Sequence, residues 1–114
     1  KNILSVYAEP TPEKNFIVKR GYDQLIKSKK VLVVEDILTT GGSVRKVVET
    51  ARTIPCEIIG VSALCNRGGI TASDLGEVPI LKCLFNINLE AWDPKDCPLC
   101  AQKIPINTSL GKGR

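Results

Sequence analysis

The residues best suited to chemistry are concentrated between Val31 and Ser43, in the stretch VLVVEDILTTGGS. An apolar run ends in adjacent carboxylates, Glu35 and Asp36, and a short segment rich in hydroxyls and glycine follows: Thr39, Thr40, Gly41, Gly42 and Ser43. Carboxylates repel phosphate, but they accept hydrogen bonds from vicinal hydroxyls and can support a hydrated Mg²⁺, which takes oxygen ligands. Glycines let backbone N–H groups approach an anion closely, and the positive end of a helix starting near Ser43 adds a field that favours phosphate. A sugar 5-phosphate would satisfy both halves, with its hydroxyls on Glu35 and Asp36 and its phosphate on residues 39–43. The alternative is a strand-to-helix turn in which Thr and Gly only cap the helix and the carboxylates are solvated. A lone Gly-Gly-Ser turn favours that alternative, whereas the whole arrangement favours binding. It is not a nucleotide P-loop, since no GxxxxGK[ST] is present, and no GxGxxG occurs either.

The surrounding elements explain how such a site would be positioned. Val31-Leu32-Val33-Val34 is a continuous apolar run between Lys30 and Glu35, the pattern of a strand buried on both faces. After Gly42 the period changes: Val44, Val47, Val48, Ala51 and Ile54 recur at helical spacing, with Arg45, Lys46, Glu49 and Arg52 on the other side. Ser43 or Thr40 is the expected N-cap, and Pro55 the stop. Residues 58–64 read as a second buried strand, followed by a loop at Asn66-Arg67-Gly68-Gly69, a short turn or helix around Ala72–Leu75, and a last strand near Pro79–Ile87. Upstream, residues 2–8 and 16–19 are β-like around a turn-rich segment, and a short helical stretch is expected near Asp23–Ile26. This order predicts an α/β fold with a parallel sheet and right-handed crossovers. Ligands of such sheets bind beyond the carboxyl ends of the strands, where residues 35–43 fall. The expected organisation is an α/β core over 1–92 and an irregular tail over 93–114, which holds Pro94, Pro98, Pro105, Gly111 and Gly113.

The segment resembles the PRPP-binding signature of the type I phosphoribosyltransferases: apolar strand, acidic pair, then a Thr- and Gly-rich 5-phosphate loop. Lys19-Arg20-Gly21-Tyr22, Gly60-Val61-Ser62-Ala63, Asn66-Arg67, and Trp92-Asp93-Pro94 through Cys97-Pro98-Leu99-Cys100 extend the similarity toward the orotate phosphoribosyltransferases. The resemblance implies a Rossmann-like parallel sheet and transfer of a phosphoribosyl group from PRPP to a base with loss of pyrophosphate. The base would be orotate, in pyrimidine nucleotide biosynthesis. It also implies Mg²⁺ held mainly by substrate, a homodimer, and a cytoplasmic location. Glu35 and Asp36 would be the catalytic and ribose-binding pair, residues 39–43 the phosphate loop, and Arg67 the contact to the orotate ring. The family usually carries Asp where this chain has Asn66. Its Lys-rich mobile loop with a His falls around residues 9–16, where this chain has only Lys14 and no His. Its pyrophosphate loop and base-covering hood lie amino-terminal to the matched region. Two other readings are a purine-type phosphoribosyltransferase and a non-catalytic PRPP-binding regulatory module.

Composition narrows the field. The 114 residues hold 16 basic and 12 acidic side chains, no His and no Met, with 43% hydrophobic and 4% aromatic residues. Lack of His removes imidazole triads and His-ligated metals. Scattered basic residues such as Lys29-Lys30, Arg45-Lys46, Lys112 and Arg114, without interleaved aromatics, argue against a nucleic-acid face. No run approaches roughly 18 apolar residues, so no membrane span is expected. The missing Met and the strand-like opening at Asn2 lead us to expect a carboxyl-terminal piece of a longer chain, or a processed product. The five cysteines, Cys56, Cys65, Cys83, Cys97 and Cys100, are an odd number and do not resemble a disulfide framework, which points to a reducing compartment. Cys97 and Cys100 have the spacing of half a zinc site; a dimer-bridging site, a redox pair and plain tail packing remain open. Arg67 could also be a solvated loop arginine, Lys19-Arg20 an exposed pair, and Trp92 a core or interface anchor.

Overall fold

The computed structural model describes residues 2–110. Eight elements follow in order: β1 (Glu9–Pro10), β2 (Phe16–Ile17), α1 (Tyr22–Ile26), β3 (Lys30–Leu38), α2 (Gly42–Arg52), β4 (Glu57–Asn66), β5 (Leu81–Asn86) and α3 (Pro98–Ala101). β3, β4 and β5 form a parallel sheet in that order, and β1 and β2 form a small antiparallel hairpin. The α/β class and the parallel sheet expected from the alternating pattern are both present.

The helix predicted from the valine spacing forms as α2, and its apolar stripe is the centre of the core. Val44, Val48 and Ala51 are buried against Val33, Ile58, Val61 and Ala63 of the sheet, and Leu75 and Val78 close the cluster from the β4–β5 connection. On the other side of α2, Arg45 Nε lies 2.9 Å from Glu49 Oε1, one turn along. The helix ends at Arg52, before Pro55, where the Thr53 hydroxyl donates to the Thr50 carbonyl at 2.8 Å.

The cap differs from expectation. The N-cap is neither Ser43 nor Thr40 but Gly41, in the left-handed region with φ +73° and with no side chain to accept a bond. β3 also departs from its expected double burial. Register places Val33, Val61 and Leu81 on the face covered by α2, and Val34, Ser62 and Lys82 on the other. On that second face Val34 is 71% exposed and Leu84 85%, with Leu32 and Leu64 exposed as well. α2 covers one face only, so an unbroken apolar run here alternates in burial as any strand's side chains alternate in direction.

Of the other segments, some differ from expectation and the turn around Ala72–Leu75 does not. Residues 2–8 form no strand, since no described segment pairs with them; Ile3 is 94% exposed, although Tyr7 packs edge-on against Tyr22 at 5.2 Å. Ala72–Leu75 is a turn, tied by the Asp74 carboxylate accepting from the Thr71 amide at 2.8 Å. The last strand starts at Leu81, and just before it the Ile80 carbonyl accepts from the Val61 amide at 2.8 Å, close against Gly60. Trp92 is 46% exposed and therefore anchors no core. The tail contains the single-turn α3, and its residues Gly111, Lys112, Gly113 and Arg114 lie outside the described residues. The ends extend the molecule, with a radius of gyration of 17.0 Å against about 13 Å for a compact domain of this size. No helix among the described residues is long and apolar enough to cross a membrane.

Candidate functional site

β3 carries the acidic pair inside the strand rather than after it. Glu35 shares register with Ala63, on the α2 side of the sheet, and Asp36 turns to the other face. Each carboxylate folds back onto its own backbone: Glu35 Oε1 accepts from the Asp36 amide at 3.0 Å, and Asp36 Oδ1 accepts from the Ile37 amide at 2.6 Å. Partial burial, and then the neighbouring Asp36, push the Glu35 carboxyl above its ordinary range.

Beyond Leu38 the chain turns through Thr39 and Thr40 into α2. The Thr40 hydroxyl accepts from the Gly42 amide at 3.4 Å, and the first helical bond runs from the Arg45 amide to the Gly41 carbonyl at 2.9 Å. The Ser43 and Val44 amides belong to the first turn and have no intrahelical acceptor, so a positive helix end faces outward here. Glu35, Ile37 and Leu38, with residues 39–44, surround an open cavity of about 270 Å³. Thus Glu35, Thr39, Thr40, Gly41, Gly42 and Ser43 line one space. Asp36 stands beside that space and does not form its wall.

Sequence reasoning missed what holds this turn in place. A Cβ on Gly41 would stand 2.9 Å from Leu75 Cδ2 and 3.2 Å from Ile70 Cγ2, so the turn sits directly on the β4–β5 connection. A Cβ on Gly68 would collide with the Thr39 carbonyl oxygen, so only a residue without a side chain fits there. The Arg67 amide donates to the Leu38 carbonyl at 2.9 Å, fastening the same two segments. Asn66 is buried and clamps this second loop: its Nδ2 donates to the Ile70 carbonyl at 2.8 Å and its Oδ1 accepts from the Ile70 amide at 3.0 Å. That two-way bond requires an amide; an aspartate could only accept. The Gly68-Gly69 pair in the sequence was the one available signal of close backbone approach.

Arg67 is half-buried next to this turn, and its Nε is buried without a hydrogen-bond partner among the described residues. Lys19 and Arg20 are exposed, with Arg20 Nε 2.8 Å from Glu9 Oε1, so Arg20 is occupied by an ion pair away from the cavity. The β1–β2 hairpin, where a mobile loop was expected, is tethered to α2 by Lys46 Nζ donating to the Lys14 carbonyl at 2.6 Å and Thr50 Oγ1 to the Phe16 carbonyl at 3.2 Å. Cys97 is the N-cap of α3 and Cys100 lies on it, and among the described residues no three Cys, Asp or Glu side chains converge as a metal cage.

A parallel strand carrying an acidic pair near its carboxyl end, a glycine-locked turn and the start of α2 surround one open cavity at the edge of an α/β domain. Residues 11–96 match the phosphoribosyl transferase domain family, and the chain belongs to it. It is similar to the orotate phosphoribosyltransferase of Caldicellulosiruptor saccharolyticus, at 37% identity over 92% of this chain and 52% of the relative. The orotate phosphoribosyltransferase of Thermotoga maritima is 38% identical over 88% of this chain and 48% of the relative. That of Desulforamulus reducens is 43% identical over 68% of this chain and 39% of the relative. The chain thus spans about half the length of the curated relatives it matches.

Proposed function

We propose that the protein transfers the phosphoribosyl group of PRPP to a ring nitrogen of orotate, releasing pyrophosphate, in pyrimidine nucleotide biosynthesis. The observation that carries this reading is the cavity shared by Glu35 and residues 39–44. The amides at the start of α2 and the hydroxyls of Thr39, Thr40 and Ser43 suit a 5-phosphate, and the carboxylates of Glu35 and Asp36 suit the two ribose hydroxyls. In the reaction the C1–oxygen bond to pyrophosphate breaks as the C1–nitrogen bond forms, through a sugar with oxocarbenium character. Glu35 and Asp36 supply negative charge near that developing cation, and the locked turn fixes the phosphate end so that C1 is presented in one position. Arg67, with a free Nε beside the turn, is the group we assign to the base. Orotate ionises readily at the ring nitrogen, so a chain without His can serve.

Mg²⁺ is part of the proposal. Two carboxylates on opposite strand faces, each bonded to its own backbone, do not make a cage; they fit an ion held mainly by substrate phosphates, with Glu35 or Asp36 reached through water. Bound in that way, Mg²⁺ supplies neutralisation of the leaving pyrophosphate. A homodimer belongs to the proposal too, tested by sedimentation velocity, as does a reducing cytoplasmic setting, in keeping with the five free cysteines.

The test uses the native-length protein with PRPP, Mg²⁺ and orotate, following loss of orotate absorbance, with Asp36→Asn alongside. Turnover that is lost in the variant is expected. Turnover only with a purine base would replace orotate. PRPP-dependent thermal stabilisation without turnover on any base would make the protein a regulatory PRPP binder. No PRPP binding at all would overturn the reading of the cavity.

A further inference from the structure

Cys97 and Cys100 are absorbed by neither the core nor the sugar-phosphate site. They share one helical turn: Cys97 stands extended at its start, with φ −75° and ψ 118°, and its carbonyl accepts from the Ala101 amide at 3.0 Å. Side chains three apart on such a turn are neighbours, with Cβ atoms about 5–6 Å apart. The two thiols already hydrogen-bond each other, and closing a bond between them needs Cβ atoms about 3.5–4.5 Å apart, which takes a small backbone shift at the extended Cys97. Cys97 is half-buried and Cys100 exposed, so reagents reach both.

The other three thiols are placed differently. Cys56 and Cys83 pack against the hydrophobic core, and the Cys56 thiol donates to the Ala51 carbonyl at 3.3 Å. Cys65 is half-buried near the carboxyl end of β4, away from the other thiols in sequence and with no cysteine one turn along. Burial pushes the Cys56 thiol up and makes it a poor nucleophile. At the tail pair the balance is asymmetric. The Cys100 amide first, and then the Cys100 thiol and the Leu99 amide, hold the Cys97 thiol below its usual range, while Cys97 pushes Cys100 up. One thiol is suited to attack and its neighbour to resolve. Among the described residues no third metal-ligating side chain joins them.

We propose that Cys97 and Cys100 are a reversible dithiol–disulfide pair that exchanges with low-molecular-weight disulfides. The Cys97 thiolate attacks one sulfur of the small disulfide, forming a mixed disulfide and expelling a small thiolate, which takes up a proton. Cys100 then loses its proton and attacks Cys97 Sγ, closing the Cys97–Cys100 bond and expelling the second small thiolate. The two protein thiols are oxidised, the small disulfide is reduced to two thiols, and excess small thiol reverses both steps.

The test treats reduced, native-length protein with oxidised glutathione and maps the tryptic peptide 96–103, which contains both thiols and no other cysteine. The expected result is loss of the mass of two hydrogens from that peptide with no glutathione retained. Cys100→Ser should accumulate glutathione on Cys97, and Cys97→Ser should retain it on Cys100, since neither variant has a second thiol to expel it. Glutathione retained on both thiols of the unmodified protein would overturn the proposal, as would a bond to Cys56, Cys65 or Cys83. So would zinc retained at one ion per two chains with both thiols masked.

Discussion

Between Leu38 and Val44 the backbone is held by residues far away in the sequence. Gly68 packs on the Thr39 carbonyl, Leu75 and Ile70 lie under Gly41, and the Arg67 amide bonds the Leu38 carbonyl. Between Asp93 and Ile104 the backbone bonds close within about one helical turn: Asp96 to Asp93, Ala101 to Cys97, Gln102 to Pro98, Lys103 to Cys100 and Ile104 to Leu99. Both regions carry groups capable of chemistry. Under the proposed function the first must place several groups against one ligand, which local bonds cannot do. The second needs only two thiols on one turn, which local bonds do well. Long-range locking is expected where geometry must be exact to fractions of an ångström, and its loss should be correspondingly severe.

The sharpest way to break this contrast is Gly68→Ala. A methyl group there cannot coexist with the Thr39 carbonyl, and both are backbone positions that a rotamer change does not relieve. We expect a loss of more than about 3 kcal/mol in urea unfolding. The PRPP-dependent rise in unfolding temperature should also disappear. An unaltered denaturation curve with intact PRPP stabilisation would show that the two loops do not touch.

Asn66→Asp tests the clamp under the same loops at a lower cost. The carboxylate keeps the bond from the Ile70 amide but cannot donate to the Ile70 carbonyl, which then remains buried opposite a charge. A loss of about 1–3 kcal/mol is expected for an unsatisfied buried group. Asn66→Ala with the same stability as the parent would mean that the clamp is ornamental and that Gly68 alone holds the loop.

How much of this was legible in the sequence follows the same division. The period of Val44, Val47, Val48 and Ala51 is a local property, and α2 formed where it was read. Glu35 and residues 39–43 fell at the carboxyl edge of a parallel strand for the same reason, since strand–turn–helix order is written in consecutive residues. The cap was not legible. Thr40 and Ser43 have the right chemistry to cap α2, yet the position falls to Gly41, where the backbone is left-handed at φ +73° and Leu75 and Ile70, distant in sequence, crowd the space of a Cβ. Nor does an apolar run announce how many of its faces will be covered: Val33 is 8% exposed and Val34 71%, with the same residue type at both positions. Residues 2–8 are apolar enough for a strand, but a strand needs a partner, which local pattern does not specify.

Removing residues 94–114 sharpens the other side of the comparison. The amides of Ile87 and Leu89 bond the Asn66 and Arg67 carbonyls at 3.0 and 3.1 Å, so among the described residues the last long-range backbone ties come before the cut. A chain ending at Asp93 should lose less than about 1 kcal/mol, roughly 4–8 °C in Tm at most for a domain of this size. PRPP stabilisation should be retained. A larger loss would mean that the tail packs on the core and that its thiols report on the fold as a whole.

The smallest effect concerns the sign of a charge. Glu35 is held above its ordinary 4.5, chiefly by partial burial, so its ionised form is worse solvated in the fold than in the unfolded chain. Because the folded protein binds the proton more tightly, stability falls as pH rises from the ordinary value through the raised one, and the cost is fully present above both. Glu35→Gln resembles the protonated form at every pH. At neutral pH the variant should therefore unfold at a temperature no lower than the parent's, and the two should converge as the pH falls below 4.5. PRPP stabilisation should be lost from the variant at neutral pH. A Glu35→Gln variant less stable than the parent at neutral pH and equal to it at low pH would reverse the sign, making the carboxylate a structural anchor of β3. Under the proposed function that solvation cost is offset when the ribose hydroxyls bind Glu35, so the stability gain and the loss of PRPP stabilisation in the variant should appear together.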